Sequence, residues 1–140
     1  MTSKICTSID QSKKLMELGV NTNTADMSYI YNFECGRHIC ELVAYKNVII
    51  PKYAESDEIN NKIPAWSISA LLSLIPPYLG EFEEGIDFGL SKSINGEWYS
   101  AHYLQWQEDG SLAPIKTVTG DTVVDAVYEM LCWLLENKKL

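Results

Sequence analysis

The chain has 140 residues, of which 46% are hydrophobic and 11% aromatic, and its formal net charge is −8. This composition is typical of a globular protein large enough for its own core, so we predict a single domain over residues 1–140. The negative charge argues against binding to a nucleic-acid backbone, which requires clustered Lys and Arg.

The apolar runs of the sequence are too short to span a bilayer, and the N-terminus lacks the apolar region of a secretory signal. We therefore expect a cytoplasmic protein that does not bind a membrane. The four cysteines are irregularly spaced and are expected to be reduced thiols.

Three helices are predicted, and each has a candidate N-terminal cap. The first spans Ser8–Gly19, where Ser8 and Gln11 have capping-box spacing. The last spans Thr122–Lys138, and Asp125 completes its cap. Its predicted buried stripe consists of Val123, Val127, Met130, Leu131 and Leu134.

The most apolar stretch of the chain is Ile63–Pro77. Its apolar residues recur at the i, i+3, i+4, i+7 positions of one helical face: Ile68, Leu71, Leu72 and Ile75. Ser67 can cap this helix, and Pro76-Pro77 must end it. We expect Trp66 to pack where the chain enters the helix. Because the helix lies between two predicted hairpins, we expect it to cross the sheet and let the second hairpin join the first.

The first hairpin is predicted over residues 29–45, where the residue types alternate between two strand faces. If Gly36 and Arg37 form a two-residue turn, Cys35 pairs with His38. Gly-Arg is a weak turn signal, so a slip by one residue, which would exchange the two faces, remains an alternative. A short strand at 48–50 and an exposed loop at 54–62 follow.

The second hairpin is predicted from Asn95-Gly96, which would pair Lys92 with Tyr99. Its core face would contain Ile86, Phe88, Leu90, Tyr99, Ala101 and Tyr103. Pro114 cannot donate to a ladder, so the next strand is expected at an edge. These elements predict an α+β fold with a mainly antiparallel sheet of two hairpins plus an edge strand, and three helices packed largely on one face.

The opposite face of the second hairpin carries candidate binding residues. Trp98, His102 and Trp106 would lie together there, beside Leu104 and opposite small residues. Exposed aromatic patches mark recognition sites, and Trp is frequent among interface hot spots. The alternative is that a helix covers this face and the tryptophans are core residues.

A hydrolase is the first alternative function. Asp87, Ser91 or Ser100, and His102 share that same face and have the residue types of a catalytic triad. The sequence shows no Gly-x-Ser-x-Gly elbow to place a nucleophile on a strained turn. Solvated polar residues on a strand are the competing interpretation.

A zinc-stabilised module is the second alternative. Cys35, His38 and Cys40 offer three soft ligands, and a structural zinc site takes four, so Cys6 or Cys132 would have to supply the last. The competing interpretation is that small thiols fill a sheet face beside aromatic residues. We expect neither a cofactor nor a metal.

Three segments of the sequence occur together in a known pattern: Asn23–Met27, Pro64–Leu72 and Asp125–Leu134. In these segments the chain resembles a set of small proteins that are encoded by gut bacteria and their phages or mobile elements. No activity is assigned to that set. The likeness spans most of the chain. It implies an intracellular bacterial or phage setting and supplies no active-site residues, and the Cys-x-x-His-x-Cys segment is not part of the pattern.

The absence of a convincing catalytic set, together with many aromatic residues and an acidic surface, predicts a non-enzymatic module that binds another protein. The partner would be a second copy of the chain or, in a phage setting, a host factor that the module modulates.

Overall fold

The structure is a computed structural model that describes residues 4–32, 36–41 and 63–140. The described part of the chain forms two compact units, one within residues 5–70 and one built from Lys4 and residues 71–140. Each unit contains an antiparallel sheet and helical segments, so the predicted α+β class is confirmed. Among the described helices, none is long and apolar enough to cross a membrane. The single domain over residues 1–140 stays a prediction.

The described residues of the first unit form the α-helix α1 and a three-stranded sheet in the order β2-β1-β3. Ser8 caps the helix as expected: its hydroxyl accepts from the N–H of Gln11, and its own N–H donates to the Gln11 side chain. The elements are α1 (Ile9–Glu17), a 3-10 turn (Thr22–Thr24), β1 (Met27–Asn32), β2 (Arg37–Glu41) and β3 (Ile63–Ala65).

The predicted register of the first hairpin is wrong. Tyr31 lies opposite His38 and Asn32 opposite Arg37, so Arg37 is a residue of β2. Gly36 has a positive φ (66°) and Arg37 does not, whereas a type I′ turn requires one at both central positions. The register differs by an even number of residues, so His38 remains on the strand face that was predicted for it. The predictions for Cys35 and for residues 42–62 lie outside the described residues.

Thr7 is the centre of a buried hydrogen-bond network in this unit. Its hydroxyl accepts from the N–H of Trp66 at 3.0 Å and lies 2.8 Å from the Ser12 hydroxyl, and all three residues are fully buried. The Thr7 N–H donates to the Trp66 carbonyl at 2.9 Å, and the Tyr29 hydroxyl donates to the Thr7 carbonyl at 2.9 Å. The Trp66 indole N–H donates to Thr24, so Trp66 is structural, as expected.

The helix α2 (Ile68–Leu74) contains the boundary between the units, because residues 68–70 belong to the first unit and residues 71–74 to the second. Ser67 caps it by accepting from the N–H of Ala70, and Pro76-Pro77 follow its end. The described strands form two separate sheets, so the predicted joining of both hairpins in one sheet is wrong. The three-residue edge strand β3 contains Pro64, which cannot donate to a further ladder.

The second unit contains a four-stranded antiparallel sheet in the order β4-β5-β6-β7. Its strands are β4 (Tyr78–Leu79), β5 (Ile86–Lys92), β6 (Tyr99–Trp106) and β7 (Leu112–Gly120), with a 3-10 turn (Phe82–Glu84) and the closing helix α3 (Val123–Glu136). The Thr122 hydroxyl caps α3 by accepting from the N–H of Asp125, as expected.

The register of the second hairpin is confirmed, with Ile86 opposite Gln105 and Lys92 opposite Tyr99. The connection is longer than the expected two-residue turn. Only Gly96 has a positive φ (74°), so the chain closes further out, where the Ser93 N–H donates to the Trp98 carbonyl.

One face of this sheet lies against α3. Ala101 and Tyr103 on that face are fully buried, and the Lys116 ammonium lies over the Trp133 ring of α3, 5.7 Å from its centroid. This is the predicted core face, except that Leu90 is 41% exposed. Leu90 is on β5, whereas α3 packs on β6 and β7.

Thr7→Val should lower the free energy of unfolding by about 1–3 kcal/mol, because it leaves the buried Trp66 N–H without its acceptor. Thr119→Val makes the same chemical change at an exposed strand position and should alter stability by less than about 0.5 kcal/mol. Urea denaturation followed by circular dichroism measures both. Equal effects of the two substitutions would contradict a central role for Thr7.

Gly120→Ala should destabilise the chain by about 1–3 kcal/mol, because its Cβ would lie 2.5 Å from the backbone nitrogen of Ala126 in α3. Gly89→Ala is the matched control. Its Cβ would meet only the imidazole of His102, which can turn away. Thermal unfolding should rank Gly120→Ala as the more damaging change, and the reverse order would be incompatible with this packing.

Candidate interaction surface

The face of the four-stranded sheet opposite α3, called the open face below, is assembled from all four strands. Side chains alternate along each strand, and cross-strand partners share a face, so the register assigns its members. They are Tyr78, Asp87, Gly89, Ser91, Ser100, His102, Leu104, Trp106, Leu112, Pro114, Thr117 and Thr119. Most of these residues are exposed, whereas the face against α3 is mainly buried or half-buried.

Apolar residues gather at one end of the open face, called the apolar end. Trp106 lies directly opposite Leu112, and Leu104 lies opposite Pro114. Tyr78 lies in the same row of the sheet, opposite Asp87, which in turn lies opposite Leu104. The exposed fractions are 57% for Trp106, 46% for Leu112 and 40% for Tyr78. The apolar end consists of Tyr78, Leu104, Trp106, Leu112 and Pro114.

The other end of the open face is polar and tightly arranged. Ser91 and Ser100 are cross-strand partners with their hydroxyl oxygens 2.5 Å apart, and Ser100 is only 5% exposed. The His102 ring lies against Gly89, where a Cβ would come within 2.6 Å of Nε2. Gly89 on β5 thus gives room to the His102 ring on β6.

The residues proposed for a hydrolase share this face, but their hydrogen bonds do not join them into a triad. No hydrogen bond links His102 to Asp87, Ser91 or Ser100, all of which are described. The two serines bond to each other, and they lie on flat strands without a strained turn. The hydrolase stays a prediction to which this geometry adds no support.

Two of the three predicted binding residues, His102 and Trp106, lie on the open face, and Trp98 precedes β6 in the chain. Trp106 is at the apolar end, His102 is half-buried in the middle, and Trp98 is 44% exposed just before β6. Eight residues at a rise of about 3.3 Å put Trp98 and Trp106 roughly 26 Å apart. This distance suits a macromolecular surface and exceeds the reach of one small ligand. The alternative that both tryptophans are core residues is wrong.

Sequence reasoning missed Tyr78, Leu112 and Pro114 as surface residues. Leu112 could have been found, because the Asp109-Gly110 turn signal already implies a hairpin that brings Leu112 near Trp106. The contribution of Tyr78 depends on β4, which is only two residues long and has no alternation to reveal it.

Six exposed carboxylates, called the acidic rim, flank the apolar end: Glu81, Glu83, Glu84, Asp87, Glu108 and Asp109. The first three precede β5, whose first residue Ile86 pairs with Gln105, and the last two follow Trp106. Hydrogen bonds from the Ser111 hydroxyl and N–H lower the pKa of Asp109, which keeps this carboxylate ionised. The rim and the apolar end therefore share one end of the sheet.

The zinc alternative stays a prediction. Cys35 lies outside the described residues, and only the backbone of His38 and Cys40 is described, on β2. Within the ranges that the structure describes, no three His, Cys, Asp or Glu side chains are grouped to hold a metal ion. Cys6 and Cys132, the proposed fourth ligands, are both buried.

Comparisons with protein-family models, with curated proteins and with solved structures find no match to this chain. The resemblance to proteins of gut bacteria and their phages therefore stays a prediction. The open face is the feature from which a function can be inferred.

Trp106→Phe should remove the part of the tryptophan fluorescence that caesium ions quench most readily, because Trp106 is exposed beside the acidic rim, which concentrates cations. Trp98→Phe is the matched control, since Trp98 is also exposed but lies beside Lys92 at the other end of the sheet. Stern–Volmer plots with caesium, iodide and neutral acrylamide measure the difference. Equal caesium sensitivity of the two variants would contradict an acidic environment around Trp106.

Proposed function

We propose that the chain is a non-enzymatic module that binds another protein through the open face of its four-stranded sheet. The single observation that carries this proposal is the exposure of Tyr78, Trp106 and Leu112 together at the apolar end, on the face that α3 does not cover. Contiguous exposed apolar side chains are unfavourable in water, and in monomeric proteins they mark interaction sites. Trp and Tyr are also prominent among the residues that dominate binding energy.

The edges of the sheet favour docking on the face over extension of the sheet by another strand. β7 carries Pro114, which lacks an N–H, and the register shifts by one residue at Ile115. Lys116 follows directly. Proline, a bulge and lysine are the features that protect an edge strand from pairing with another chain.

The hydrogen bonds of the open face are consistent with recognition and give no reason to favour catalysis. The Ser91 and Ser100 hydroxyls are engaged with each other, and the His102 ring lies against Gly89. A polar area beside an apolar one resembles the polar rim and apolar centre of a protein interface. A bacterial or phage setting, a cytoplasmic location and a modulating role remain parts of the proposal.

A photo-crosslinking amino acid at Leu112 should give a discrete adduct in bacterial cells, because this 46% exposed position is at the apolar end. The matched control places the crosslinker at Ile94, which is fully exposed at the hairpin tip. Adding Trp106→Ser should abolish the Leu112 adduct while the melting temperature changes little.

The mass of the adduct separates the two kinds of partner, since an adduct of twice the chain mass identifies a second copy. Equal crosslinking from Leu112 and Ile94, or an adduct that persists with Trp106→Ser, would contradict the proposal that the open face binds a protein.

A further inference from the structure

We infer that the partner of the open face is a cationic amphipathic segment of another protein, with apolar side chains for the apolar end and Lys or Arg for the acidic rim. This inference rests on the proposed function and names the chemistry of the partner.

The charged residues of the segment that forms the sheet are mainly carboxylates. Residues 78–120 contain seven carboxylates and two lysines, and six of those carboxylates form the acidic rim. Between residues 63 and 115, Lys92 is the only cation. The rim carboxylates are exposed, so a partner could approach them without burying an unpaired charge.

Both lysines of the sheet are placed away from the apolar end. The Lys92 ammonium lies over the Tyr99 ring, 5.7 Å from its centroid, at the hairpin end of the sheet. The Lys116 ammonium lies over Trp133, on the face that α3 covers. Neither one neutralises the rim, so its field acts on whatever approaches Trp106. Complementary charge speeds association and rejects partners of like charge.

The same charges argue against two other occupants of the open face. A second copy in a two-fold contact would bring one acidic rim towards another, because the same patch faces itself in such a dimer. A nucleic acid would present phosphates to six carboxylates, and both lysines of the sheet lie away from them. A protein segment that combines positive charge and apolar side chains satisfies both parts of the surface.

Three synthetic helical peptides test this inference. The first has Leu on one face and Lys on the other, the second replaces each Lys with Glu, and the third replaces each Leu with Ser. The first should bind and shift the NMR signal of the Trp106 indole N–H but not that of the buried Trp66. Its affinity should fall as salt rises. The other two peptides should bind at least about tenfold more weakly.

A variant with a neutralised rim distinguishes specific docking from general attraction to an acidic protein. The substitutions Glu81→Gln, Glu83→Gln and Asp87→Asn together should weaken binding of the Lys–Leu peptide about five- to tenfold. The matched control removes the same charge at exposed positions elsewhere, with Glu17→Gln, Glu97→Gln and Glu129→Gln. It should retain nearly the full affinity.

Equal loss in the two triple variants, or no binding of the Lys–Leu peptide, would overturn the inference. Binding of the Glu–Leu peptide at Trp106 would also overturn it while leaving the open face as a docking site. If no peptide binds but the Leu112 crosslinker still gives a Trp106-dependent adduct, only the partner class is wrong. If that adduct is missing as well, the proposed function fails.

Discussion

The close approach of α3 to the end of β7 decides which side of the second sheet is covered. Gly120 lacks a Cβ, so the first turn of α3 at Ala126 can lie directly on the strand. The helix then covers β6 and β7, and Ala101 and Tyr103 are fully buried beneath it. The Tyr103 hydroxyl donates to the Pro76 carbonyl at 2.6 Å, and burial raises its pKa, so it remains a donor. Because α3 covers one face of the sheet, the side chains that alternate with Ala101 and Tyr103 along the strands lie on the open face.

The open face separates its apolar and polar residues along the strands. At one end, Trp106 and Leu112 stay exposed beside carboxylates. At the other, the Ser91 and Ser100 hydroxyls hydrogen-bond to each other and not to His102. Exposed apolar residues beside a polar area are typical of a protein interface, and this arrangement is the basis of the proposed binding function.

The tryptophans show how position, rather than residue type, determines a role. Trp66 is fully buried, its indole N–H bonds to Thr24, and its backbone is held by Thr7 on both its N–H and its carbonyl. Such a residue stabilises the fold, because buried polar groups without partners would be costly. Trp106 is 57% exposed at the end of β6. An exposed tryptophan contributes little to folding and can bury much apolar area on binding.

Local signals in the sequence determined the caps, the edge position of β7 and the register of the second hairpin, because a Ser8 hydroxyl, Pro114 and the Asn-Gly turn each act on backbone within a few residues. The first hairpin was misassigned since Gly36 alone does not specify a tight turn. The division of the strands between two sheets, and the covering of only one face of the second, depend on contacts between distant segments. Only the tertiary structure therefore decided that Trp106 and the carboxylates around it form one exposed surface.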